Sequence, residues 1–93
     1  MKRRSLPPFR FDNPRTDEEM LAQLTGHVAK LVLGSKTEKK QDRALKRLEE
    51  EELPAALVAI NKPAFLAGHL LSQAINLFAA IATDKLGLEI SPP

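Results

Sequence analysis

The sequence predicts an all-α fold, a small helical bundle of three main helices and a short helical segment. Three observations lead there. Apolar residues recur at three- and four-residue spacing in two separate stretches. Pro and Gly fall at the edges of those stretches. Charge is divided unevenly, with twenty-two of twenty-six charged residues in the first fifty-two positions and none from Pro63 to Thr83. Ninety-three residues make one domain, and a chain of that length buries only roughly 60–65% of its unfolded surface. Its core is therefore thin, and self-association is one common way to gain the missing burial.

Residues 1–15 read as a basic, Pro-rich and flexible arm. Lys2, Arg3, Arg4, Arg10 and Arg15 stand against one acid, Asp12, and three prolines exclude a helix. Phe9 and Phe11 either pin the arm to a body or stay exposed. A basic arm suits a polyanionic partner; a solvated tail is the plainer alternative. Residues 16–87 form the helical domain. Thr16-Asp17-Glu18-Glu19 is a capping box with acids at the positive end of the helix dipole. Leu21, Leu24, Val28 and Leu31, beside Met20 and Val32, make the apolar stripe that follows, and Gly34 suits its end.

After a turn at 35–37 a second helix is expected to run to about Glu52. Lys36, Lys39, Lys40, Arg43, Lys46 and Arg47 fall within an arc of about 120°, opposite Ala44, Leu45 and Leu48. Glu49 to Glu52 oppose the dipole at that helix's end and suit the start of another, with Pro54 as its first residue. A short segment at 54–60 is expected, then an interruption at 61–63. The last long helix should run from about Pro63 to Leu86, stopped by Gly87, with an extended tail at 88–93.

That last helix carries an apolar arc of roughly 200°, against about 100° for an ordinary surface helix. Leu66, Leu70, Leu71, Ile75, Leu77, Phe78 and Ile81 are its large apolar residues and the expected oligomer or partner interface. A core helix and a homo-oligomer both accommodate them. The length would span a bilayer, but His69, Ser72, Gln73 and Asn76 near the middle argue against a membrane partner.

No phosphate loop, nucleophile elbow or zinc-protease motif occurs, so no enzyme activity, cofactor or metal is expected. The two histidines, His27 and His69, form no helical ligand pair. The chain has no cysteine, which excludes disulfides and thiol chemistry and suits a cytoplasmic location. MKRR followed by Ser-Leu-Pro-Pro does not read as a secretory leader.

Two resemblances bear on function. Leu33-Gly34-Ser35 with Arg43-Ala44-Leu45-Lys46-Arg47-Leu48-Glu49 resembles the turn and recognition helix of winged helix-turn-helix regulators. It departs from them in a spacing about two residues too long, in Gln41 at an apolar position, and in lacking a wing hairpin. The segment Ala79-Ala80-Ile81-Ala82-Thr83-Asp84-Lys85-Leu86-Gly87-Leu88 is similar to part of small bacteriophage DNA-packaging (small terminase-type) and related helix-turn-helix proteins. It covers ten residues and implies an oligomeric, non-enzymatic DNA-recognition subunit, with no contact residues inside the match.

The expected function is thus a non-catalytic, oligomeric module of phage or mobile-element type, a DNA-binding accessory or regulator. Phosphates would meet Lys36, Lys39, Lys40, Arg43, Lys46 and Arg47, with Arg3 and Arg4 from the arm; no aromatics interleave the cations to stack on bases. The alternative is a protein–protein adaptor or inhibitor docking through the apolar last helix, without nucleic acid.

Overall fold

The structure, a computed structural model, describes residues 8–85. The chain is all-α, 79% helical and without strands among the described residues. Helix α1 spans Asp17–Gly34 and α2 spans Glu38–Arg47. A π-helical turn, Leu48–Glu52, leads into α3, Leu53–Ala59. A 3-10 turn, Ala64–Leu66, precedes α4, Ala67–Lys85. The expected stop at Gly87 and the tail at 88–93 lie outside the described residues.

Each boundary has a local cause. The Thr16 hydroxyl accepts the Glu19 N–H at 3.1 Å, and the Glu19 carboxylate accepts the Arg15 N–H at 2.6 Å. That reciprocal pair opens α1. It ends at Gly34, as expected, but without a left-handed glycine: Gly34 is the last helical residue, and Ser35 turns extended while its hydroxyl donates to the Leu31 carbonyl at 2.6 Å. Thr37 then caps α2, accepting the Lys40 N–H at 3.1 Å. The α3 terminus is a Schellman motif. Asn61 takes a left-handed φ of 63°, and the Lys62 and Asn61 N–H groups donate to the Leu57 and Val58 carbonyls at 2.9 and 3.0 Å. Pro63 follows and stops any continuation.

The second helix differs from expectation. It does not break near Glu52: Arg47, Leu48, Glu52 and Leu53 are all helical, so α2, the π turn and α3 form one rod. Within the turn the Leu53 N–H reaches five residues back to the Leu48 carbonyl. Widening the helix just before Pro54 eases the clash that a proline ring makes with the carbonyl four residues back. Three of the four acids meet a different neighbour each. Glu49 approaches the first turn of α4, its Oε2 lying 3.4 Å from where a Cβ on Gly68 would stand. Glu51 pairs with Arg47 at 3.8 Å, Glu52 accepts the Phe9 N–H at 3.2 Å, and Glu50 is exposed.

The three rods pack around Leu24, Val28, Leu48, Leu53 and Leu57, all fully buried, with Met20, Ala56, Ala67, Leu71 and Ala74. Each fully buried leucine or valine contributes about 1.5–3 kcal/mol. Thr25, the one buried polar residue among those described, donates its hydroxyl to the Leu21 carbonyl at 2.6 Å. Along its shortest axis the molecule measures 21 Å, about two helix diameters. Every helix therefore keeps one side outside the core.

The arm from residue 8 onward is pinned by Phe9. This ring is 7% exposed, meets Phe11 edge-on at 4.8 Å and lies 4.9 Å from the His27 imidazole. A second tie joins Asp12 to Gln23 in both directions, at 2.7 and 3.1 Å.

Candidate nucleic-acid interface

The interface starts with Thr37, whose cap sets the phase of α2. No residue of α2 is fully buried; Gln41, Ala44 and Leu45 turn partly inward, and the side chain of Leu48 just beyond closes the seam. Helical periodicity then sends Lys39, Lys40, Arg43, Lys46 and Arg47 to the opposite side, and all five are exposed. Lys36 is exposed too, but it belongs to the turn before the helix and not to the helical face. Arg3 and Arg4 lie outside the described residues.

Among the described residues the Arg47–Glu51 pair is the one ion pair within 4.0 Å, and both side chains are largely exposed. Lys39, Lys40, Arg43 and Lys46 thus pair with no acid among the described residues. Exposed Glu38 and Asp42 border the face, and Glu49 to Glu51 end it, so the cationic surface is confined to one side of a ten-residue helix. Its local chemistry suits phosphate oxygens. Cations on long, solvated stems can follow a backbone without fixing a base.

The sequence did not disclose the neighbourhood of His27. Its ring is half-buried against Phe9 and its pKa is lowered, first by burial; Glu52 opposes that shift and Lys30 adds to it. His27 is thus part of the arm's anchorage. His69 is exposed on α4. Among the described residues no three His, Asp or Glu side chains are grouped to hold a metal.

The residues expected at an oligomer or partner interface separate into three sets. Leu71 is buried at 4% exposure and belongs to the core. Leu66, Leu70 and Phe78 are half-buried against that core. Ile75, Leu77 and Ile81 are 37%, 37% and 43% exposed. Only 17% of the apolar stretch 64–83 is buried, and it is the one described helix long and apolar enough to cross a membrane.

The chain matches no known family model, no curated protein and no solved structure.

Proposed function

We propose that this protein is a non-catalytic nucleic-acid-associated module whose α2 contacts backbone phosphates. One observation carries the reading: Lys39, Lys40, Arg43 and Lys46 share an exposed helix face and form no ion pair among the described residues. Arg47 contributes less, because Glu51 competes for it. Lys36 extends the positive field from the adjoining turn. The accessory or regulatory role of phage or mobile-element type that the resemblances imply belongs to this proposal. So does a cytoplasmic site of action, which a cysteine-free chain suits.

The test is an anisotropy titration of a labelled duplex at low and moderate salt. Four phosphate contacts correspond to a log–log salt slope of about −3.6, or a loss of about a hundredfold between 50 and 200 mM. The combined reversal Lys39→Glu, Arg43→Glu and Lys46→Glu should abolish binding. Absence of binding at low salt, or binding that ignores the reversal, would overturn the reading.

A second reading is favoured by the exposed Ile75, Leu77 and Ile81. It makes the chain an adaptor or inhibitor that docks another protein through α4. Under it the duplex titration stays flat at every salt concentration.

A further inference from the structure

The apolar surface of α4 has two flanks, separated by the seam of Leu71, Ala74 and Ala82 that enters the core. Ile75 lies on one flank. Leu70, Leu77 and Ile81 lie on the other, and Leu66 of the preceding 3-10 turn continues it, within an arc of about 60° at helical spacing. Leu66, Leu70, Gln73 and Leu77 follow the four-three-four spacing of helices that pair lengthwise, and Ile81 stands one residue past the next such position.

We propose that this second flank is the contact between two copies of the chain, packed antiparallel about a two-fold axis beside Gln73 and Ala74. The row is symmetric in its own sequence. Leu70 and Leu77 are equally distant from the midpoint between residues 73 and 74, and so are Leu66 and Ile81. An antiparallel pair in that register sets Leu70 against Leu77 and Leu66 against Ile81, each twice. A two-fold contact requires one patch to complement itself, which this row does.

Charge and shape point the same way. From Pro63 to Thr83 there is no formal charge, so the row itself brings no ion to desolvate, and the charges beside it, Asp17, Glu18 and Lys62, are exposed at the rim. Beside Leu66 and Leu70 lies a groove of about 430 Å³, walled across by Met20 and Leu21 of α1 and edged by Asp17, Glu18 and Lys62. At the other end of the row Leu77 and Ile81 stand out into solvent. Antiparallel packing lays each protruding pair into the partner's groove. Gln73 meets its symmetry mate, where paired amides hold the register as a buried polar residue does in a coiled coil.

The extent of the face sets the strength. Nineteen residues of α4 run about 28 Å, and two helices are about 20 Å wide. That covers roughly 560 Å² per copy, or about 1,100 Å² in all, the low end of specific interfaces. The dimer is accordingly reversible and concentration-dependent.

The experiment is sedimentation velocity of the full chain without nucleic acid, from about 1 to 500 μM, a range bracketing weak specific association. Its failure therefore leaves the phosphate-binding reading intact. The weight-average mass should rise toward twice that of the chain. Leu77→Lys should hold it at the monomer value with unchanged helical circular dichroism. The register is tested by cysteines in this cysteine-free chain, linked by a bis-maleimide of about 10 Å, matching helix-pair distances. Gln73→Cys should link to itself. Leu77→Cys should link poorly to itself and well to Leu70→Cys when the two are mixed. A monomer at all concentrations, association that persists in Leu77→Lys, or Leu77→Cys linking to itself better than Gln73→Cys overturns the proposal.

Discussion

Helices α2 and α4 are opposites in composition and alike in exposure. α2 is built mainly from Lys, Arg, Glu and Asp and buries no residue fully. α4 carries no formal charge before Asp84, yet the apolar stretch 64–83 that takes in most of it is only 17% buried. Burial therefore follows the seam each helix offers to its neighbours, not the composition of the whole helix. α2 is held through Leu48 next door, and α4 through the narrow line of Ala67, Leu71, Ala74 and Ala82. The difference lies in what remains outside: for α2 a surface water solvates well, for α4 a surface it does not.

The largest effect that would sharpen this contrast comes from one helix. Leu71→Asp puts an unpaired charge where exposure is 4%. It should cost more than about 4 kcal/mol and abolish cooperative thermal unfolding. Leu77→Asp, six residues on and 37% exposed, should stay within about 1 kcal/mol of the parent chain. Equal effects would mean that the seam is not where burial locates it. Next in size is Thr37→Ala, which removes the hydroxyl that accepts the Lys40 N–H. Denaturant melts should show a loss of about 1 kcal/mol, large for a helix held by so few buried groups.

The smallest effect concerns α1, the neighbour of both helices. Folding lowers the pKa of His27, chiefly through burial, so the unfolded chain binds the proton more readily. By linkage, stability is unaffected well above the ordinary imidazole value of 6.5 and falls as the pH drops through it. His27→Gln should flatten that part of the pH–stability curve, and an unchanged slope would assign it to other groups.

Much of this was legible in the sequence. The capping box and stripe of α1 depend on local hydrogen bonds and a fixed helical period, and both were readable. So was the cationic face of α2, since side chains spaced by that period share a side wherever the helix sits. The Arg47–Glu51 pair was available from its four-residue spacing, although Arg preceding Glu is the weaker order. The continuity through Glu52 was not legible. Acids at a helix C-terminus cost about 0.3–1 kcal/mol each. Burying Leu48, Leu53 and Leu57 yields about 1.5–3 kcal/mol apiece, so packing outweighs the dipole and the rod stays whole. The fate of Phe9 was equally hidden, because it depends on Glu52 and His27, far away along the chain.

The π turn also fixes the length of anything the cationic face can touch. Within it the rod winds through less angle per residue, and the acids of Glu49 to Glu51 replace the lysines. The positive strip therefore ends with the ten residues of α2, about 15 Å of helix. At 3.4 Å of duplex axis per phosphate on a strand, that is a footprint of some four base-pair steps. A polyanion lying along this rod would leave cationic ground after less than half a turn of its own helix.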